Sequence, residues 1–258
     1  MTFSPRATLN HWIHGIRIYI ALAIALLSLE IWWWAASTYG GSSLFAIRLE
    51  ETYAWFSVGF LCTALAIGPV CGIFKRIPGR NMLYDARRLF GIGAAWFASL
   101  HIFIAYEAVF QFANPLHIPG QYRQSIVVGS VAWLILLAMA FTSFNAAMKR
   151  MGKWWFRLHR FVYVAIALSL LHAFIVGAQA TSPAVLITLA VIVTTLLGLH
   201  SYAIIRQGRR VSYLQLLSIG AMTAALMIIF SYGYHQRDQY QGQTSASAGR
   251  GGNNVQSY

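Results

Sequence analysis

Apolar stretches about one membrane thickness long, separated by short charged or turn-rich segments, set the pattern of the chain. A helix needs about 20 predominantly apolar residues to cross a bilayer core, and such runs recur at 16–36, 55–74, 89–112, 125–146, 159–178, 184–205 and 212–233. The pattern predicts an all-α, polytopic membrane helix bundle with seven spans. The intervening segments at 37–54, 113–124 and 179–183 are short, so consecutive spans are expected to lie antiparallel and side by side. Beyond about Tyr234 the chain is rich in Gln, Ser, Gly and Asn without apolar periodicity, which predicts a disordered polar tail.

Composition agrees with this pattern. Of 258 residues, 58% are hydrophobic and 10% charged, against roughly 25% charged in soluble domains. The spans use most of the chain, so any flavin-reductase or dinucleotide-binding module is expected on another polypeptide. The net charge of +13 suggests nucleic acid only until its distribution is considered. Fifteen of the 19 basic residues fall on one side of the predicted membrane: Arg6, Arg17, Lys75, Arg76, Arg80, Arg87, Arg88, Lys149, Arg150, Lys153, Arg157, Arg160, Arg206, Arg209 and Arg210. Only Arg48, Arg123, Arg237 and Arg250 fall on the other. By the positive-inside rule the N-terminus is cytoplasmic and, with seven spans, the C-terminus is extracytoplasmic. No nucleic-acid role is expected, and lipid is a partner.

Trp32, Trp33 and Trp34 lie at the outer end of span one, and Trp154 and Trp155 at the inner entrance to span five. Both groups are expected to be interface anchors. The first apolar stretch is longer than a typical signal-peptide core, so an uncleaved span is expected despite Ala35-Ala36-Ser37. Cys62 and Cys71 sit nine residues apart on one helix, roughly 13 Å along its axis, and cannot pair. No C-x-x-C-H motif occurs, which excludes covalent haem attachment of that type.

Ionisable side chains at membrane depth are costly and mark sites of function. His101, His172 and His159 lie in or at the ends of apolar helical stretches. His101 follows Arg88 by 13 residues, or roughly 20 Å of helix, and His172 lies about 18 Å beyond Arg160. The two are therefore expected at one depth in the outer half of the bilayer. Each interrupts a stripe of mostly small residues, Ala94, Ala98 and Ala105 on one helix and Ala165, Ser169 and Val176 on the other. Two imidazoles on facing helices can clamp a haem; the competing reading is close helix packing with interhelical hydrogen bonds.

His159 precedes His172 by 13 residues, which on a straight helix turns it roughly 140° away. The positions facing it from span three are Arg87 and Arg88, so its inner partner is left open among His200, His11 and His14. Contact with a haem propionate or a flavin are its other candidate roles. Glu30 and Glu107, near the outer ends of their spans, are expected to snorkel or to pair with Arg48 or Arg123.

The segment Ala140-Phe141-Thr142-Ser143, then Gly152-Lys153-Trp154-Trp155-Phe156-Arg157-Leu158-His159-Arg160-Phe161-Val162-Tyr163, then Leu171-His172, resembles the ferric reductase-like transmembrane domain family. Arg87-Arg88-Leu89-Phe90-Gly91 with Leu100-His101 is similar to its third-helix motif, and Leu65-Ala66-Ile67-Gly68-Pro69 to the end of its second helix. Within the family the likeness is greatest to the haem-binding membrane subunit of the bacterial periplasmic methionine sulfoxide reductase system. The resemblance covers about residues 15–206 and implies a haem-binding domain over residues 1–210; the additional transmembrane helix expected at 211–234 and the tail at 235–258 depart from the family's usual six spans.

It further implies a b-type haem held by His101 and His172, with His159 also in cofactor binding, and in some members a second haem or FMN. The expected function is electron transfer across the bacterial inner membrane. The donor is a cytoplasmic flavin reductase or quinol, meeting an inner site around Arg88, Arg157 and His159, and the acceptor is a periplasmic redox protein. Two alternatives stand beside it. One is reduction of ferric or cupric ions at the outer face, where Glu50, Glu51 and Glu107 would attract cations. The other is a non-redox accessory subunit that docks through the seventh span.

Overall fold

The computed structural model describes residues 5–108, 120–176 and 183–206, with positions 220 and 223. The described residues form helices and the turns between them: α1 (Pro5–Tyr39), α2 (Leu44–Ile73), α3 (Arg80–Ala108), α4 (Gly120–Phe141), α5 (Asn145–Met151), α6 (Lys153–His159), α7 (Val162–Val176) and α8 (Pro183–Arg206). Among the described residues, six segments are long and apolar enough to cross a membrane: Ile18–Tyr39, Leu44–Ile73, Arg80–Ala108, Tyr122–Phe141, Lys153–Ala173 and Ile187–Arg206. The chain is thus a multi-pass membrane protein. The predicted seventh span and the polar tail lie, apart from positions 220 and 223, outside the described residues.

Chain direction alternates from span to span, so the basic residues gather at one end of the bundle. The α2–α3 connection at that end turns through Gly79 at φ 71°, a left-handed conformation that a side chain would strain. The fifth crossing differs from the straight helix predicted. Gly152, at φ 52°, separates α5 from α6, and α6 stops at His159. The turn that follows is tightened, with Arg160 N–H donating to Arg157 O at 3.2 Å and Phe161 N–H to Leu158 O at 3.0 Å. His159 therefore belongs to a short helix of its own, and its direction is not set by helical rotation back from His172.

Most apolar side chains have no core to enter. Ile18, Leu22, Leu26, Leu29, Trp33 and Phe103 are all exposed, as expected where the surrounding medium is as apolar as the interior. The interior is reserved for small or closely fitting residues. Ala94 and Ala165 are fully buried and join Leu61, Leu65, Leu136, Ile166, Leu170, Val193 and Leu196 in one cluster drawn from α2, α3, α4, α7 and α8. A second cluster links α1, α2 and α3 through Ile24, Ile31, Leu49, Tyr53 and Phe97. Along α2 and α3 the rings of Tyr53, Phe97, Phe60 and Phe90 stand 6.0, 5.3 and 5.4 Å apart in sequence.

Polar side chains satisfy one another between helices. Trp96 donates its indole N–H to Ser28 Oγ at 2.9 Å, and Tyr53 its hydroxyl to Ser28 O at 3.0 Å, pinning α1 to both neighbours. Ser57 donates to Ala94 O at 2.8 Å, and Trp133 to Ser99 Oγ at 2.9 Å. Such bonds contribute about 0.6 kcal/mol each on average within a membrane, so they set register more than stability.

At the basic end Arg206 donates from Nη1 to Ile73 O at 2.6 Å. It places a cation on the C-terminus of α2, where free carbonyls and the helix dipole favour one. Arg206→Ala is expected to lower stability by about 1 kcal/mol, read as a lower thermal midpoint of the detergent-solubilised protein, with Arg206→Lys recovering part of the loss. An unchanged midpoint would show that α8 does not depend on this cap.

Candidate functional site

At the end of the bundle opposite the basic loops, α3 and α7 bring two imidazoles together. The rings of His101 and His172 have centroids 6.0 Å apart and planes inclined at 76°. Neither ring is free to turn. His101 Nδ1 donates to the main-chain oxygen of Glu50, in the second turn of α2, at 3.0 Å. His172 Nδ1 lies 2.9 Å from the main-chain oxygen of Ser125, in the second turn of α4, and 3.1 Å from its hydroxyl oxygen.

A carbonyl oxygen can only accept, so the proton of each neutral ring sits on Nδ1 and the lone pair on Nε2. This is the arrangement of a metal-binding histidine, whose other nitrogen donates to a carbonyl that fixes tautomer and orientation. The pair does not stand within a larger ligand set. Among the described residues no group of three or more His, Cys, Asp or Glu side chains is placed to hold a metal ion.

Close packing on α4 makes room for the His172 ring. A Cβ at Gly129 would stand 2.6 Å from His172 Nδ1, so Ser125 and Gly129, one turn apart, form the anchor and the recess for the same imidazole. Both were missed in the sequence. Their spacing on an apolar helix was the available signal, but nothing in it identified the helix they face.

The third histidine has different company. His159 Nδ1 bonds to Trp155 O at 3.1 Å, one turn back on its own helix, and Nε2 lies 3.4 Å from the Ser143 hydroxyl. The Trp155 ring stacks on the imidazole at 3.9 Å and 25°, and its indole N–H donates to Thr142 O at 2.9 Å. Of the two tryptophans read as interface anchors, Trp154 is exposed on the bundle surface, whereas Trp155 turns inward.

The arginines around His159 diverge. Arg88 donates to Asn145 Oδ1 at 2.7 Å and approaches Met148 Sδ. Arg157 lies over the Trp154 ring, 4.7 Å from its centroid, on the exposed face of α6. His200, near the end of α8, bonds its own Leu196 O at 3.0 Å and meets the Tyr163 ring edge-on at 5.4 Å. Arg48, at the other end, pairs with Glu51 at 3.0 Å.

Residues 52–170 match the family model described as Ferric reductase like transmembrane component. The matched stretch supports a ferric reductase-like transmembrane domain and a membrane redox role. It includes His101 and His159 and ends two residues before His172; α1 and α8 lie outside it. No solved structure matches the chain.

Gly129→Ala is expected to cost about 1–3 kcal/mol, the usual penalty of overpacking, because the methyl group would meet the His172 ring. Gly91→Ala is the control, since a Cβ there meets nothing within 4 Å, and it should be neutral or stabilising by up to about 1 kcal/mol. Thermal midpoints of the two variants in detergent test the contrast, and equal behaviour would refute the recess.

Proposed function

We propose that the chain is a b-type haem protein of the bacterial inner membrane, passing electrons from a cytoplasmic flavin reductase or membrane quinol to an extracytoplasmic redox protein. The observation that carries this is the His101/His172 pair, two imidazoles 6.0 Å apart whose Nδ1 atoms are both held by main-chain oxygens. His101 and His172 would hold the iron of such a haem through Nε2, the nitrogen of each ring left free by its Nδ1 bond. The number of donors also fits. Two protein ligands are too few for a closed tetrahedral zinc site, but they are the complement a haem takes when its macrocycle fills the equatorial positions.

When bound, the haem supplies a one-electron redox centre. The chain's own residues supply the rest. Glu50 O and Ser125 O accept from the imidazoles, which raises the basicity of each Nε2 and holds both rings in place through a change of metal charge. The Ser125 hydroxyl, 3.1 Å from His172 Nδ1, gives that ring a second polar neighbour that His101 lacks among the described contacts. Ala94 and Ala165 allow the helices below the pair to pack closely.

Purified full-length protein is expected to contain one haem per chain, with the spectrum of a six-coordinate low-spin b-type centre. His101→Ala and His172→Ala should each abolish that spectrum, while His200→Ala keeps it. Size-exclusion profiles matching the parent would separate ligand loss from misfolding. Retention of the six-coordinate spectrum in a well-folded His172→Ala variant would sink the assignment.

A further inference from the structure

We propose that the basic end of the bundle contains an oxyanion site, built around the Arg87 guanidinium with Tyr163 and His200, that takes a phosphate group. The site is independent of the His101/His172 pair and of the haem reading.

Arg87 stands on the third turn of α3, roughly 10 Å of helix beyond Arg80. Its side chain points into the bundle. Nη1 lies against the main chain of α2, so close that a Cβ on Gly68 would stand 3.2 Å from it. Its charge also reaches His159 on α6, Tyr163 on α7 and His200 on α8. The guanidinium thus rests on α2 within electrostatic range of the Tyr163 and His200 rings, which meet edge-on at 5.4 Å, while Arg88, whose charge also reaches His159, hydrogen-bonds Asn145. Glycine at position 68 leaves the space the guanidinium fills.

Nothing in the described protein neutralises this cation. Of the acidic residues described, Glu30, Glu50, Glu51 and Glu107 belong to the opposite end. Asp85 is two residues back on α3, about 200° around the helix. Arg87 forms no ion pair or hydrogen bond among the described residues, and neither does the Tyr163 hydroxyl. Of the surrounding cations, Arg88 is engaged on Asn145, Arg157 on Trp154 and Arg206 on Ile73 O, while the exposed Arg160 adds a second positive charge near the Tyr163 phenol.

An unpaired charge inside a membrane bundle is costly, and the costs of the guanidinium and the phenol are removed together by one group that accepts hydrogen bonds and carries negative charge. Phosphate does so. Arg binds it through two parallel N–H donors, and Tyr163 adds an O–H. His200 has its proton on Nδ1, facing Leu196 O, so its Nε2 is an acceptor for a phosphate that retains a hydroxyl. At this level a phosphate arrives either from the headgroup layer, as part of a lipid, or from the water beyond it.

The test uses delipidated full-length protein in neutral detergent. It is titrated with inorganic phosphate or with dihexanoyl phosphatidylglycerol, against sodium chloride at matched ionic strength. A ligand that binds only the folded state raises the thermal midpoint, here by about 4 °C near saturation. A response to inorganic phosphate supports a water-borne ligand, and one to phosphatidylglycerol alone supports a lipid headgroup.

Arg87→Gln should remove either response, while Arg88→Gln keeps it. Tyr163→Phe deletes only a hydroxyl that makes no bond within the described protein, and it should raise the half-saturating concentration about five-fold. The proposal is overturned if neither probe exceeds the sodium chloride effect. It is equally overturned if Arg87→Gln and Tyr163→Phe respond as the parent does.

Discussion

An imidazole N–H placed inside an apolar bundle must find an acceptor there, because lipid offers none. Helical main-chain oxygens already accept from their own ladders, and here Glu50 O and Ser125 O, in the second turns of α2 and α4, each take the imidazole as a second donor. That single requirement fixes much of the structure. It holds α3 against α2 and α7 against α4, and it leaves both Nε2 atoms as lone-pair donors at one depth. Gly129 follows from it, since α4 must come close enough for the Ser125 oxygen to reach the ring.

The two ends of the bundle solve the same problem in different ways. At the His101/His172 end, polar groups are neutral and satisfied by main chain, so the site can present ligands to a metal without carrying charge. At the basic end the groups are cations. Arg88, Arg157 and Arg206 find an amide, an aromatic face and a carbonyl, and Arg87 rests against Gly68 with its charge felt at His159, Tyr163 and His200. Between the ends, Phe97, Phe60 and Phe90 fill the interior with contiguous rings. The contact between α2 and α3 is thereby continuous from one site to the other.

Hydropathy made the six described spans legible, since a bilayer demands a long apolar run of any helix that crosses it. His101 and His172 were legible for the complementary reason, that an ionisable side chain stands out in such a run. Their partners were hidden because main-chain oxygens have no residue-type signature; Glu50 and Ser125 could carry any side chain and still accept. The joint at Arg160–Phe161 was equally invisible, so the 140° rotation expected of a straight helix did not apply to His159. Arg87 and Arg88 illustrate a further limit. Adjacent residues point about 100° apart on a helix, and the dipeptide does not say which of them enters the bundle.

The claim at the centre of this account is that His101 and His172 bind one metal from opposite sides. Electron paramagnetic resonance of the oxidised, purified full-length protein tests it most directly. Imidazole planes inclined at 76° predict a low-spin ferric haem signal of the strongly anisotropic kind that nearly perpendicular axial imidazoles produce. A high-spin, five-coordinate signal, or protein that purifies intact with no haem signal at all, would contradict it.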